Sequence, residues 1–354
     1  MIRKICFCVP DLEYGGSSEV VINLANEFSA RGYGVFIVSA YDFVAGKYKG
    51  LINESNIAFY SCHKRSRFDL SFIKRLKEII SFIKPDVISS HLSMTVYVSA
   101  IDKTTRIFHT IHSNPKKEFV SLVRFYLSHR SNVYFIACSN SVFDLARKIY
   151  KRRLCVVQNG LSNENKVGNE LSLTKKNIDF LYVGRFDKVK CISDLVKAFA
   201  ILHGENSALK LCLCGSGAEE KKIIKTIKKC KLPDDSVMMP GYVDNVSAYY
   251  ARSKVFCLFS SREGGPMCLL EASSFGLPIV CTDIPGNLNY VNDQKSALTF
   301  KTHNYKAASY LMKRIINDER LYGEMAKCSL QTAKDNSFKD VANKYLEIMN
   351  HVER

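Results

Sequence analysis

The stretch SSREGGPMCLLEASSFGLPIV, Ser260–Val280, shows how this chain alternates between strand and helix. An apolar run, Val255–Ser261, predicts a strand that ends where the stretch begins. Pro266 suits the first turn of a helix, where its missing N–H costs nothing, and Gly276 suits the left-handed position after the last turn. A second strand, Pro278–Thr282, follows at once. Strand, helix and strand in this order predict one unit of a parallel sheet covered by helices.

The same alternation runs through the whole chain and predicts two doubly wound α/β domains. The predicted strands are Lys4–Pro10, Val35–Ala40, Val87–Ser90, Arg106–Ile111, Tyr134–Ala137 and Cys155–Gln158 in the first half, and Phe180–Val183, Leu209–Cys214, Val237–Met239, Val255–Ser261 and Pro278–Thr282 in the second. The main predicted helices are Ser17–Arg31, Leu70–Ile83, Ile192–His203, Lys221–Lys229, Pro266–Phe275 and Phe338–His351, and the segment Lys306–Lys334 is predicted to be mostly helical. A polar, irregular segment, Asn163–Lys176, is the predicted linker.

These patterns place an N-terminal Rossmann-like domain at residues 1–165 and a second at residues 166–335. Residues 336–354 form a C-terminal helix that we expect to pack back on the N-terminal domain. Two such domains that face each other form a cleft. In doubly wound sheets, ligands bind at the carboxyl ends of the strands and at helix N-termini.

The chain of 354 residues is strongly basic, with a formal net charge of +17. The residues through Gly168 include 24 basic and 13 acidic side chains, and the remainder include 27 and 21, so the excess is concentrated in the first half. Such a domain suits an anionic lipid surface or a phosphorylated acceptor. Nucleic acid is less favoured, because no recognition motif occurs and the basic tracts lack interleaved aromatic residues. An ordinary solvated surface remains the alternative.

The 13 cysteines form no Cys-x-x-Cys pair and no Cys/His cluster with zinc-ligand spacing along the sequence. Alternating pairs such as Cys6 and Cys8 are typical of small buried apolar residues. So many thiols favour a reducing, cytoplasmic setting. No window approaches the ~20 uncharged apolar residues that span a membrane, and the first residues predict a strand and not a signal peptide.

Two glutamates frame the loop and helix of the opening stretch. Glu263 lies in the loop between strand and helix, and Glu271 lies within the helix. A helix N-terminus favours an anion, and Gly264 and Gly265 let a ligand approach the backbone. Carboxylates suit hydroxyl donors better than a phosphate. A ligand with both phosphates and sugar hydroxyls, a nucleotide-sugar, fits this arrangement; an unrelated loop glutamate and surface glutamate are the alternative.

Other strand ends carry cations and glycines. Arg185 and Lys190 follow a predicted strand, where two cations can neutralise a diphosphate. Gly215 and Gly217 form a glycine turn after the next strand, and Gly15 and Gly16 precede the first helix, where a phosphate can approach the backbone. A surface Arg and Lys and two plain turns are the alternatives.

At this point the motifs resemble glycosyltransferase family 4, whose members have the GT-B architecture and are retaining. The opening stretch is similar to the family's Glu-x7-Glu signature. The other similar segments, in the family's order, are Gly15-Gly16 with Asn23-Leu24-Ala25, His109-Thr110-Ile111-His112, Val157-Gln158-Asn159-Gly160, Leu181-Tyr182-Val183-Gly184-Arg185 with Lys190, Leu213-Cys214-Gly215-Ser216-Gly217, and Gly241-Tyr242-Val243-Asp244-Asn245. Several motifs in order are more specific than any one alone.

The resemblance implies a role for each matching residue. His112 would lie near the transferred sugar, Glu263 would contact that sugar, and Glu271 would hold the ribose. Arg185 and Lys190 would stabilise the departing nucleoside diphosphate. The remaining expected donor-binding residues are Gly15, Gly16, Gly215, Gly217, Tyr242, Val243, Gly264, Gly265, Pro266 and Met267.

The sequence departs from the family pattern at two places. Cys191 follows Lys190, where the family often has glycine, and Ser18 stands where the family often has glutamate, with Glu19 one residue later. A direct role for the opening loop's side chains is therefore in doubt. No Asp-x-Asp triplet occurs, so we expect no metal ion and no separate cofactor; the nucleotide-sugar is a substrate.

The resemblance implies a retaining glycosyltransferase that moves a hexose or N-acetylhexosamine from a nucleoside-diphosphate sugar, UDP-linked by preference. The acceptor would be a glycan or a polyprenyl-diphosphate-linked saccharide in surface-polysaccharide (O-antigen, capsule or lipopolysaccharide) biosynthesis. We expect a cytoplasmic protein at the inner face of the cell membrane, with no nucleic-acid partner. A nucleotide-sugar epimerase of the same architecture and a non-enzymatic basic nucleic-acid-binding or scaffolding protein are the alternatives. A Rossmann dehydrogenase is less favoured, because Gly-x-Gly-x-x-Gly does not follow the first strand.

Overall fold

The computed structural model describes residues 2–13, 15–66, 69, 71–151, 153–161 and 176–351. The chain divides into two compact units, Met1–Ser162 with Phe338–Arg354, and Asn163–Ser337. The predicted linker, Asn163–Lys176, lies outside the described residues except for Lys176.

The first unit is built on a seven-stranded parallel sheet with the order β3-β2-β1-β4-β5-β6-β7. Its strands are β1 (Lys4–Val9), β2 (Gly34–Ser39), β3 (Ala58–Ser61), β4 (Val87–His91), β5 (Arg106–Ile111), β6 (Val133–Ala137) and β7 (Leu154–Val156). The helices between its strands are α1 (Gly16–Ala30), α2 (Gly46–Glu54), α3 (Ser71–Ile83), α4 (Met94–Ile101), α5 (Pro115–Glu118), α6 (Ser121–His129) and α7 (Asn140–Ala146). Central strands are buried along nearly their whole length, as a sheet covered on both faces requires.

The second unit repeats this architecture with a six-stranded parallel sheet in the order β10-β9-β8-β11-β12-β13. Its strands are β8 (Ile178–Val183), β9 (Leu211–Cys214), β10 (Val237–Gly241), β11 (Ser253–Leu258), β12 (Ile279–Thr282) and β13 (Ala297–Phe300). Its helices are α8 (Ile192–Glu205), α9 (Glu220–Lys229), α10 (Ser247–Ala251), α11 (Met267–Ser274), α12 (Pro285–Leu288), α13 (Tyr305–Asn317) and α14 (Glu319–Asp335). Two Rossmann-like parallel sheets confirm the predicted fold class.

The last helix, α15 (Phe338–His351), belongs to the first unit. It packs against α1, where Arg31 Nη1 donates to Asn343 Oδ1 at 2.7 Å. The buried Tyr345 brings its hydroxyl within 3.1 Å of Thr110 Oγ1, at the sheet. The chain therefore returns to its first unit after completing the second.

Several predicted boundaries differ from the structure for local reasons. Pro266 is the residue before α11 and not its first helical residue. The segment Lys306–Lys334, predicted to be mostly helical, forms two helices, because Asp318 leaves the helical conformation and its side chain accepts a hydrogen bond from Leu321 N at 2.9 Å. Gly276 has φ +64°, as predicted for the position after the last turn.

Within the part of the chain that the structure describes, no helix combines the length and the apolar character needed to cross a bilayer.

Candidate active site

The candidate site residues of the second unit gather at the carboxyl edge of its sheet. β8 and β11 are hydrogen-bonded neighbours at the point where the strand order reverses direction, and in doubly wound sheets ligands bind at such a switch point. The residues that follow these strand ends are Arg185 and Lys190 after β8, Gly215 and Gly217 after β9, Tyr242 and Val243 after β10, and Glu263, Gly264, Gly265, Pro266 and Met267 after β11. The fold therefore brings the predicted cations and the first predicted glutamate to adjacent strand ends.

Lys190 and Glu263 form a direct ion pair. The Lys190 ammonium donates to Glu263 Oε1 at 2.6 Å, and only 19% and 10% of the two side chains are exposed. Ser260 Oγ donates to the same carboxylate oxygen at 2.5 Å. The sequence predicts that Lys190 binds a phosphate and that Glu263 binds a sugar. The structure shows that the two side chains also bind each other. An ammonium has three donors, and Glu263 occupies one.

Residues that the sequence analysis missed hold Glu263 in place. Thr282 Oγ1 donates to Ser260 O at 2.6 Å, and the buried Asn287 donates to Thr282 O at 2.9 Å. Gly286 permits a close approach, because a Cβ there would lie 2.3 Å from Glu263 O. The glycine and asparagine lie within α12, the helix after β12, and no pattern in the sequence connects them with a glutamate before α11. This network fixes the loop that carries Glu263.

Arg185 has a different environment from Lys190. Its side chain is 75% exposed and pairs with Asp187 at 3.0 Å. Its backbone carbonyl accepts a hydrogen bond from the buried Tyr182 hydroxyl at 2.9 Å, and burial raises the pKa of Tyr182 well above its usual value. The backbone is thus anchored while the guanidinium reaches solvent, where an ion pair contributes little to stability.

The glycines after β9 have a packing role inside the unit. A Cβ on Gly215 would lie 2.0 Å from Gly184 O, and one on Gly217 would lie 2.8 Å from the backbone of Phe186. Phe186 N donates to Ser216 O at 2.8 Å, which ties the two turns together. Close contact between two backbone segments therefore explains both glycines, and their contact with a phosphate stays a prediction.

Glu271 lies on α11 and is bound by a tyrosine that the sequence analysis did not identify. Tyr250, which is buried, donates its hydroxyl to Glu271 Oε2 at 2.8 Å. Burial, and next the nearby Glu271 carboxylate, raise the pKa of Tyr250 well above its usual value. The phenol therefore remains a neutral donor that orients one oxygen of Glu271. Tyr250 and Glu271 are 21 positions apart, so only the fold reveals the pair.

In the first unit, Gly15 and Gly16 lie where β1 leads into α1. Among the described residues, nothing lies within 4 Å of a Cβ added to Gly15. Packing within this unit therefore does not require glycine there. Glu19, which departs from the family's spacing, accepts a hydrogen bond from Tyr48 Oη at 3.0 Å.

His112 directly follows β5 and is held by a second histidine. His91, the last residue of β4, places Nδ1 2.8 Å from His112 Nε2, and its own Nε2 lies 3.2 Å from Ser89 Oγ. Burial, and then His112 and His109, lower the pKa of His91 well below its usual value. His91 is therefore neutral and fixes the ring of His112. His109 is buried in β5 and bonded to Thr95 Oγ1 at 2.7 Å, as expected for a histidine packed in the strand.

Two family models match the chain. One, described as glycosyl transferases group 1, matches residues 164–332, and the other, described as glycosyltransferase family 4, matches residues 14–165. The matched ranges correspond to the two doubly wound units, and together they cover most of the 354 residues. The fold and the matches define a glycosyltransferase of the GT-B class.

The chain belongs to glycosyltransferase family 4, as its motifs predicted. A Haemophilus influenzae protein named as an uncharacterized glycosyltransferase is 25% identical over 98% of this chain and 100% of its own. A Campylobacter jejuni protein named as an N-acetyl-D-galactosaminyltransferase acting on a PP-undecaprenol-linked saccharide is 25% identical, covering 99% of each chain. The solved structure of Anabaena HepE with UDP and glucose superposes with a TM-score of 0.85 at 15% identity, covering 99% of this chain and 100% of that one.

Proposed function

We propose that this glycosyltransferase is retaining and uses no metal ion in the transfer reaction itself. In this proposal it moves a hexose or N-acetylhexosamine from a nucleoside-diphosphate sugar, UDP-linked by preference, to a glycan or lipid-linked saccharide of a surface polysaccharide. The observation that carries the proposal is the Lys190–Glu263 pair at the switch point of the second sheet. In this pair a cation, which can bind a phosphate, lies beside a carboxylate, which can bind sugar hydroxyls.

The chemistry follows from the charges that develop during transfer. When the glycosyl bond breaks, negative charge moves onto the leaving diphosphate, and fixed cations stabilise that charge most effectively where water is largely excluded. Lys190, whose side chain is 19% exposed, is suited to this role. Arg185, whose side chain is 75% exposed, would contact the outer face of the diphosphate. These cations replace a metal counter-charge in the proposal.

The two glutamates supply hydroxyl contacts in the same scheme. Glu263, fixed by Lys190 and Ser260, would accept hydrogen bonds from the transferred sugar. Glu271, oriented by Tyr250, would accept them from the ribose. A hydrogen bond to a charged group contributes about 1.5–3 kcal/mol, so the loss of Glu271 should weaken nucleotide binding measurably.

The relatives support the donor and acceptor classes. Anabaena HepE has been solved with UDP and with UDP-glucose. Two Campylobacter jejuni relatives, 25% and 24% identical, are named for saccharides linked to undecaprenol through a diphosphate. We carry both classes to this chain as part of the proposal.

A panel of UDP- and GDP-sugars tests the donor, read as thermal stabilisation of the protein. We expect a UDP-sugar to raise the melting temperature of the wild type and to raise it less in Glu271→Ala. Glu324→Ala, which removes an exposed carboxylate on α14, is the matched control and should behave as the wild type. Equal stabilisation of all three proteins would contradict the assigned site.

Product analysis tests the reaction. With donor and acceptor present, NMR should show that the new linkage keeps the anomeric configuration of the donor. Incubation with donor alone should give no isomerised nucleotide-sugar; conversion of the donor under those conditions would favour an epimerase. Inversion of the linkage would contradict the retaining mechanism.

We also propose that the first unit associates with an anionic membrane. Val120, Leu122 and Phe125, at and within α6, are 70%, 78% and 64% exposed. The exposed Lys116 precedes them, and Arg130 follows the helix. Large exposed apolar side chains beside basic residues are typical of helices that lie in the interface of anionic lipid.

Flotation with vesicles of phosphatidylglycerol and phosphatidylcholine tests this surface. We expect salt-sensitive binding that falls in the double variant Leu122→Ser with Phe125→Ser. Tyr310→Ser, which removes a 68% exposed aromatic residue of α13, is the control and should bind as the wild type. No binding, or equal binding by all three proteins, would contradict the membrane proposal without affecting the glycosyltransferase assignment.

A further inference from the structure

Three side chains of different chemistry meet beside the turn that carries Lys190. The ligand atoms of Cys191, Asp194 and His303 all lie within 4.8 Å of one another, and among the described residues they form a group that could hold a metal ion. His303 Nδ1 lies 2.8 Å from Asp194 Oδ2.

The backbone presents these side chains from two distant segments. Cys191 is the residue before α8 and has a left-handed conformation, with φ +51°, and Asp194 N donates to its carbonyl at 2.9 Å. His303 lies between β13 and α13, also with a positive φ of +66°. Left-handed backbone is uncommon for a cysteine, whereas histidine, like asparagine and aspartate, adopts it more often. The surrounding structure must therefore hold Cys191 in this conformation.

The donor set suits zinc better than a hard cation. Thiolate sulfur, imidazole nitrogen and carboxylate oxygen are the three ligand types of zinc sites, at distances of about 2.0–2.3 Å from the ion. Magnesium and calcium prefer oxygen alone. A thiolate, a carboxylate and a neutral imidazole together carry the charge that neutralises a divalent ion. Three protein ligands leave a fourth tetrahedral position for water.

The neighbouring groups fit an outer shell. Lys197 Nζ binds the other oxygen of Asp194, Oδ1, at 2.8 Å, which leaves Oδ2 directed to His303. Ligating carboxylates are commonly held in this way by a second partner.

The group is accessible from solvent. The His303 side chain is 67% exposed, so an ion can reach it.

We propose that Cys191, Asp194 and His303 form a zinc-class metal site, and that the bound ion fixes the turn Lys188–Lys190. The turn directly precedes Cys191, and its Val189 carbonyl accepts a hydrogen bond from Ser261 N at 2.7 Å. An ion on Cys191 would therefore restrain the residue next to Lys190, which contacts Glu263. The proposed metal site does not depend on which sugar or acceptor the enzyme uses.

Cobalt titration of the full-length protein tests the site, because a Co²⁺–thiolate bond gives a charge-transfer absorption band. We expect a band that saturates at one equivalent in the wild type. Cys191→Ser should remove it, and His303→Ala should weaken Co²⁺ binding by at least ~10-fold, since even outer partners of ligands contribute 10- to 100-fold. Cys230→Ser removes another half-buried thiol and should keep the band. Absence of the band in the wild type, or an unchanged titration in Cys191→Ser or in His303→Ala, overturns the site.

Two further measurements separate the site from misfolding and test the restraint. The metal-free variants should keep the melting temperature of the metal-free wild type to within a few degrees. Zn²⁺ should stabilise the wild type and Cys230→Ser, should stabilise His303→Ala less, and should not stabilise Cys191→Ser. Amide exchange at Val189 and Lys190 should slow on adding Zn²⁺ to the wild type. Exchange that is unchanged by saturating Zn²⁺ overturns the restraint on the turn.

Discussion

The Lys190–Glu263 pair permits a quantitative test that needs no ligand. Glu263→Gln removes the charge but keeps an oxygen that can accept the Ser260 hydroxyl, while Lys190→Met removes the ammonium and keeps the length of the side chain. Each single change leaves one charged side chain without its partner. In Glu263→Gln this is Lys190, which is 19% exposed, and in Lys190→Met it is Glu263, which is 10% exposed. Removing both charges eliminates that cost.

The magnitude follows from the burial of the pair. Breaking a fully buried ion pair from one side costs about 3–5 kcal/mol. Because both side chains keep some contact with water, we expect about 2–3 kcal/mol for each single variant. The double variant should lose about 1–2 kcal/mol less unfolding free energy than the two single losses add up to. This difference is within the range of coupling energies between contacting residues.

Urea denaturation of the four proteins measures this coupling, provided that the transitions share one slope. The exposed pair of Arg320 and Glu324 on α14 gives a parallel control cycle, in which we expect no measurable coupling. Additive effects of the Lys190 and Glu263 substitutions would refute the reasoning, because the contact would then contribute nothing to the fold of the site.

Three further predictions follow from contacts within each unit. Tyr250→Phe removes the donor to Glu271 and should weaken UDP binding by about 3- to 10-fold, equivalent to ~0.6–1.4 kcal/mol, in calorimetry; unchanged affinity would contradict the role of Tyr250. Gly215→Ala places a Cβ 2.0 Å from a carbonyl and should destabilise the protein by ~1–3 kcal/mol, whereas Gly15→Ala should leave stability unchanged; equal unfolding midpoints would contradict this. His91 binds a proton only when the chain unfolds, since its pKa in the folded protein is lowered. Stability should therefore fall as the pH drops below about 6.5, by up to ~1.4 kcal/mol per pH unit, and His91→Asn should flatten that slope; identical slopes would refute it.

The fold could be predicted where a proline or a glycine marks the end of a helix or strand. Pro266 and Gly276 bound α11 almost as predicted, and the alternating apolar runs gave most strands of both sheets. The strands β3 and β13 and several short helices, such as α4, α7 and α12, were not predicted, because four to eight residues carry little periodic signal. The position of the break between α13 and α14 was not predicted either, because Asp318 interrupts the helical pattern without a glycine or proline.

The candidate site was only partly accessible to sequence reasoning. Residues that directly follow strands, such as Lys190 and Glu263, could be assigned to one edge because parallel strands share their carboxyl ends. Their supporting partners could not. Tyr250, Ser260 and His91 act through contacts that depend on packing, and hydrogen bonds between distant segments leave no spacing pattern in the chain.

A crystal structure of the protein soaked with a UDP-sugar tests the central claim most directly. We predict a diphosphate within hydrogen-bond distance of Lys190 Nζ, a ribose hydroxyl donating to Glu271 and the sugar in contact with Glu263. The claim would be contradicted by a nucleotide bound away from the carboxyl ends of β8 and β11, with the Lys190–Glu263 pair undisturbed and only solvent beside it.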